Sequence, residues 1–292
     1  MSKVLLNQAH WYITSTCNLT CSQCYSFNNF AVKGHERWID NESFVVKWSK
    51  LVDISGFGIL GGEPMSNPDC DLWVKGLRTH FSNTSDFKIF TNGTYLHKWK
   101  KQIKEWIDLG VIISVHIHNL SQYDKVISDI YSIINKYNYT TNKNGKQYPE
   151  YYDDYDFIIF INNKPAFLVE KDNYFVKFGP TYDKGIYKFN NSNAEDVHKS
   201  CPSLLKDCPY FFKGKLYKCG PVVGGREFIK KYKTEQYVKD LLDSYRPISL
   251  DDDVKTEIEK LKNYIPQCSL CPFYNEDAEL VNLMPMTTKK IK

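Results

Sequence analysis

The 292 residues carry 38 basic and 34 acidic side chains, a net charge of +4, too slight a bias to mark a dedicated nucleic-acid binder. Hydrophobic residues make up 42% of the chain, enough for a sizeable core and too many for a disordered polymer. No apolar run approaches the ~18 residues of a membrane span, and MSKVLLNQAHWYITSTCNLT contains no signal peptide, so a cytoplasmic location is expected.

Residues 10–16 (HWYITST) read as a strand ending at the first cysteine, and 42–54 have helical periodicity. A short buried strand, 56–60, ends in Gly-Gly; 68–81 reads as a helix with Pro68 and Asp69 as start signals. Next come a strand at 86–90, the turn TNGT (91–94), an amphipathic helix over 96–110, a strand at 111–118 and a helix at 121–137. Residues 138–156 are polar and turn-rich and read as a loop; the tyrosine-rich part, 148–157, fits a lid or a plain surface loop. Residues 157–161 and 174–178 read as strands, separated by about a dozen residues, the lower limit for a crossover helix.

Strand and helix thus alternate four times, which predicts βα units and a parallel sheet with helices packed outside. Chemistry in such sheets gathers at the carboxyl ends of the strands. Cys17, Cys21 and Cys24 lie there after the first strand, Gly61–Pro64 after the second and Asn92 after the third. From about residue 190 cysteines return, CPYFFKGKLYKCG (208–220) reads as a hairpin turning at Lys213-Gly214, and 249–264 as a helix capped by Ser249. Two domains are expected, 1–190 and 191–292.

The nine cysteines stand at 17, 21, 24, 70, 201, 208, 219, 268 and 271. An odd count without an export signal argues for metal rather than disulfides. The CxxxCxxC of Cys17, Cys21 and Cys24 fits three corners of a [4Fe–4S] cube with the fourth iron open to an exchangeable ligand. It also fits a zinc site completed by a residue such as His10 or His35. In GGEP (61–64) the glycines let backbone approach a ligand, and Glu63 suits an amine. His116 and His118 share one side of a strand with Ser114, which fits a proton acceptor, a substrate ligand or hydrogen-bonded core histidines. Cys201, Cys219, Cys268 and Cys271 fit a closed four-ligand cluster or a zinc ribbon. Cys208 is read as a buried thiol and Cys70 as a bystander.

CxxxCxxC after the first strand and GGEP after the second make roughly residues 8–180 resemble a radical S-adenosylmethionine (SAM) enzyme. The resemblance implies a partial (β/α)6 TIM-like barrel in which Cys17, Cys21 and Cys24 hold a [4Fe–4S] cluster whose open iron binds SAM. Gly61, Gly62 and Glu63 would lie nearest the methionine amino group, with Asn92 and Ser114 as further SAM-side positions. Gln23 departs from the family, where an aromatic often precedes the third cysteine; Tyr25 is the residue able to compensate. The later cysteines resemble a twitch domain, a shortened SPASM domain, with a hairpin, a helix and one auxiliary [4Fe–4S] cluster on Cys201, Cys219, Cys268 and Cys271. Lys177, on the last predicted barrel strand, fits either an inward anion-binding residue or a solvated edge lysine. The implied reaction is reductive cleavage of SAM to a 5′-deoxyadenosyl radical that removes a substrate hydrogen atom. A net oxidation follows if the second cluster accepts an electron. An external one-electron reductant of the flavodoxin or ferredoxin type is implied. The first strand begins close to the N-terminus of the sequence, which points to a small molecule such as a sugar, aminocyclitol or nucleotide derivative. The alternatives are a peptide presented by a separate partner and a non-catalytic zinc or iron–sulfur module.

Overall fold

In the computed structural model the described residues are 3–30, 34–142, 155–172, 174–176, 178–201, 208–273 and 280–282. Strand β1 (Val4–Tyr12) starts well before His10. It pairs in parallel with β2 (Val52–Leu60), from Val4↔Val52 to Tyr12↔Leu60, so a long-range ladder defines it rather than local alternation. Helix α1 between them spans Trp38–Leu51, not 42–54. Its first turn is satisfied by a distant partner, the Asp69 carboxylate, which accepts the Trp38 N–H at 2.9 Å. Helices α2 (Cys70–His80), α3 (Lys100–Asp108) and α4 (Tyr123–Ile134) alternate with β3 (Asp86–Thr91) and β4 (Ile112–His116) as the pattern predicts.

The alternation then stops. Strand β5 (Tyr139–Asn142) pairs antiparallel with β6 (Phe157–Ile161), and β6 pairs antiparallel with β7 (Lys164–Glu170). The β6–β7 turn is Asn162-Asn163, with φ of 52° and 61°; two positive φ values suit the right-handed twist of a two-residue hairpin. Strand β7, absent from the sequence pattern, runs parallel to β4 and separates it from Phe157–Ile161. The stretch expected as the last barrel strand pairs elsewhere: Tyr174–Val176 is antiparallel to Leu280–Asn282 in a separate two-stranded sheet. Lys177 and residues 148–154 lie outside the described residues.

The hairpin strands Tyr210–Phe212 and Lys215–Tyr217 turn at Lys213 and Gly214, both at positive φ. They extend the main sheet, because His10 and Trp11 pair in parallel with Tyr210 and Phe211. Trp11 stacks on Phe211 at 4.7 Å, and the Trp48 indole donates to Gly214 O at 2.9 Å. Strands from both sides of the expected boundary therefore lie in one sheet, and Phe211, Leu216 and Ile248 pack in the same core cluster as Trp11 and Trp48. Six strands of this sheet run in a parallel series: Tyr210–Phe212, β1, β2, β3, β4 and β7. This parallel series, with helices packed outside, is the sheet of a partial TIM-like barrel. Fully buried Trp11, Trp48, Trp73 and Trp106 fill the space between it and the helices.

Beyond Lys188 lie α5 (Ala194–Ser200), α6 (Gly220–Ile229), α7 (Gln236–Ser244) and α8 (Val254–Lys260). Helix α8 begins five residues later than expected, with Asp253 as its cap. Ser249 instead donates its backbone N–H to Asp252 in a preceding turn, at 2.7 Å. Among the described residues no helix is long and apolar enough to cross a membrane.

Candidate active site

After Tyr12 the chain crosses the carboxyl end of the sheet as an irregular loop. Its cysteines, Cys17, Cys21 and Cys24, line a cavity of about 430 Å³ with Gly61, Gly62 and Asn92. Cys17 Sγ accepts the Leu19 N–H at 3.4 Å, and Cys24 Sγ accepts the Asn28 N–H at 3.3 Å. Burial raises all three thiols, Cys21 to about 12, so without a metal they stay protonated at neutral pH. A metal is what makes three thiolates in one half-buried loop favourable. Phe27 follows at φ 57°, a left-handed conformation; packing against Phe30, Phe178, Phe189 and Phe228 holds it there.

The Gly61-Gly62 turn lies on this loop because it has no side chains. A Cβ on Gly61 would stand 2.3 Å from Thr14 O, and one on Gly62 2.3 Å from Thr16 O. In that contact Gly62 donates to Thr14 O at 2.7 Å and Glu63 N–H to Thr16 O at 2.8 Å. Glu63 itself differs from expectation. It is fully buried, and its carboxylate accepts Thr91 Oγ1, Asn92 N–H and Met65 N–H at 2.8, 2.7 and 3.0 Å. Burial outweighs those bonds and raises its pKa to about 7. Glu63 thus braces the ends of β2 and β3, leaving the two glycines to form the cavity wall. Asn92 lines the cavity and donates to Asn18 Oδ1 at 3.0 Å, fastening the cysteine loop to β3.

His116 and His118 line the same cavity at the end of β4. Ser114 is fully buried behind them, its hydroxyl 3.0 Å from His116 Nε2. The parallel register of β4 with β7 places Glu170 beside His116. His116 Nδ1 lies 3.2 Å from Glu170 and 3.4 Å from Asp172. Burial opposes protonation of His116, but Asp172 and Glu170 together outweigh it and raise its pKa to about 9. His118 is lowered by burial, with Nδ1 2.7 Å from Asp172 O. One imidazole is therefore a cation and its neighbour neutral. Glu170, Asp172 and Tyr210 were not legible as site residues. The one local signal for the acids was the apolar run of β7 closing in Glu-Lys-Asp, and Tyr210 arrives only by pairing with β1.

The remaining expected residues fall as follows. Tyr25 lines the cavity with its ring 4.8 Å from Phe178. His35 bonds the Thr14 hydroxyl at 2.9 Å, and His10 is stacked between Phe90 and Tyr210; neither is among the residues lining the cavity of the cysteine loop. Cys201, Cys219, Cys268 and Cys271, far apart in sequence, line one small cavity with Lys218, and Tyr25 borders it too. Burial raises Cys219 to about 12, and mutual repulsion with Cys268 and Cys201 adds to that. Cys208 packs with Tyr12, Tyr210 and Phe212, as expected of a buried thiol, and Cys70 is buried in the first turn of α2.

Residues 11–144, just under half of the chain, match the family model "Radical SAM superfamily". This part of the chain is a radical SAM domain. The chain is similar to GTP 3′,8-cyclase of Nautilia profundicola, 30% identical over 95 residues, or 32% of this chain and 30% of that one. It is also similar to the probable GTP 3′,8-cyclase of Pyrobaculum aerophilum, 24% identical over 121 residues, covering 41% and 38%. The chain thus matches well under half the length of these curated relatives. Among solved structures it is similar to BtrN in complex with AdoMet and 2-DOIA, at 17% identity and TM-score 0.49, covering 92% of this chain and 94% of that chain. The family match contains the first three cysteines and ends before Cys201.

Proposed function

We propose that the chain is a radical SAM oxidoreductase acting on a small molecule. The observation that carries this is the meeting of Cys17, Cys21 and Cys24 with the Gly61-Gly62 turn around one cavity at the carboxyl end of a parallel sheet. The donor set fits a [4Fe–4S] cluster: three soft ligands on one loop, with backbone N–H groups directed at two sulfurs. With cluster and SAM bound, the chemistry supplied is one-electron cleavage of SAM and removal of a hydrogen atom from the substrate. The electron comes from an external flavodoxin- or ferredoxin-type donor.

The chain's own residues then position, shield and move protons. Gly61 and Gly62 would let the SAM amino group approach backbone, with Tyr25 and Asn92 lining the same cavity. His118, neutral at physiological pH, accepts the proton released when a substrate radical is oxidised. His116, held as a cation by Glu170 and Asp172, keeps Nδ1 toward those carboxylates and Nε2 on the Ser114 hydroxyl, so what it offers the cavity is a positive charge. Cys201, Cys219, Cys268 and Cys271 would hold a second cluster, which would supply a one-electron acceptor for a net dehydrogenation. The cyclase relatives take GTP by name, which keeps nucleotide derivatives beside sugars and aminocyclitols as substrate classes.

Anaerobic reconstitution tests this. Iron bound to the protein together with 5′-deoxyadenosine formed from SAM and dithionite is the expected result. Zinc with no deoxyadenosine would overturn it in favour of a non-catalytic module.

A further inference from the structure

Lys218 stands between the hairpin and Cys219, only 5% exposed. Its ammonium donates to the backbone carbonyls of Leu261 and Asn263, the latter at 2.8 Å, and lies 3.4 Å from His198 Nε2. Its backbone N–H is bound by the Tyr245 hydroxyl at 2.9 Å. The side chain is therefore fixed at both ends. It lines the same small cavity as Cys201, Cys219, Cys268 and Cys271. Burying an ammonium is costly unless hydrogen bonds and nearby negative charge compensate. The two carbonyls and His198 meet its hydrogen-bonding needs, and thiolates across the cavity wall would meet its charge.

We infer that Lys218 is a built-in positive charge that raises the reduction potential of the metal cluster held by Cys201, Cys219, Cys268 and Cys271. The inference rests on the reading that these four cysteines bind a [4Fe–4S] cluster. Such a cluster carries one more negative charge reduced than oxidised. A fixed cation beside it stabilises the reduced form more, and burial lessens the screening. Lys218 thereby makes the second cluster a better electron acceptor, which is the property a dehydrogenation needs. It is a positioning and tuning residue, with no contact to substrate required of it.

The test uses the full chain carrying Cys17→Ala, Cys21→Ala and Cys24→Ala, so that iron can enter only the second site. Iron content is measured first, then the midpoint potential by anaerobic redox titration. Lys218→Gln keeps a donor for the carbonyls and removes the charge; Lys218→Arg keeps the charge. The expected result is bound iron in all three proteins, a more negative midpoint in Lys218→Gln, and a midpoint near the parent in Lys218→Arg. Normal iron with an unchanged midpoint in Lys218→Gln would make Lys218 a mere strut and overturn the inference. If Lys218→Gln fails to load iron, Lys218→Met in the same titration decides by the same criterion. A parent that binds no iron at this site would overturn the four-cysteine reading, and the inference with it.

Discussion

The side-chain oxygen of Gln23 accepts two consecutive backbone N–H groups, of Phe178 at 2.8 Å and of Gly179 at 2.7 Å. One residue inside the cysteine loop thus clamps a segment more than 150 positions away, as the separations of 155 and 156 show. In sequence Gln23 looked like a missing aromatic; in the fold its function is to fix where the loop sits. Tyr25, two positions on, already supplies a ring, packed on Phe178.

Replacing Gln23 by Leu would leave two backbone donors without this acceptor, at a cost of about 1–3 kcal/mol for each one kept from water. Thermal unfolding should show the loss, and reconstituted iron should fall because the cysteine loop loses its anchor. Gln23→Glu, which offers the same acceptors, should retain most of both. Equal behaviour of the two variants would show that the clamp does not hold the loop.

Gly62→Ala should be severe despite adding one methyl. The new Cβ would stand 2.3 Å from Thr16 O and 2.6 Å from its carbonyl carbon, both rigid backbone. Relief requires the β2 turn to back away from the cysteine loop. The expected loss is upward of about 2 kcal/mol, with iron at the first site reduced more than iron at the second. Chemical denaturation and iron analysis of the two sites check this.

What was legible in the sequence was what is local. Cys17, Cys21 and Cys24 carry their CxxxCxxC spacing within eight residues, and Gly61-Gly62 sits at the end of a strand that its own pattern announces. What escaped depends on partners far along the chain. The start of α1 is set by Asp69, 31 residues away. Strand β7 needs the Asn162-Asn163 turn, whose significance lies in two positive φ values. Glu170 reaches His116 only because β7 pairs with β4, and the hairpin joins the barrel only because Tyr210 and Phe211 pair with His10 and Trp11. Glu63 was legible as a site residue but not in orientation, since its three donors come from two separate loops.

The histidine pair should show an unusual pH response. With a folded pKa of about 9 against an unfolded value near 6.5, His116 contributes stability that is fully present below pH 6.5 and lost as pH rises through about 9. Asp172→Asn removes the larger of the two carboxylate contributions. The variant should therefore be less stable than the parent below pH 6.5, and this part of the difference should vanish above about pH 9. An NMR titration of His116 should show its pKa fall in the variant. An unchanged His116 pKa would mean that the carboxylate does not hold the proton there.

The second cysteine set gives the clearest division of labour. Cys268 and Cys271 sit on a short turn, Pro266–Leu270 and the residue after it, remote in sequence from the Cys17–Cys24 loop but bordering the cavity that Tyr25 also lines. Cys268→Ala with Cys271→Ala leaves at most two ligands, too few for a cluster that takes four. Iron should drop from about eight to about four per chain if both sites hold [4Fe–4S] clusters. Cleavage of SAM with dithionite should survive, because Cys17, Cys21 and Cys24 and the Gly61-Gly62 turn are untouched. With a substrate that the parent oxidises, oxidised product should be lost if the second site is the electron acceptor. Unchanged iron would remove Cys268 and Cys271 from the ligand set. Loss of SAM cleavage alongside normal iron at the first site would mean instead that the second site shapes the first through the wall they share at Tyr25.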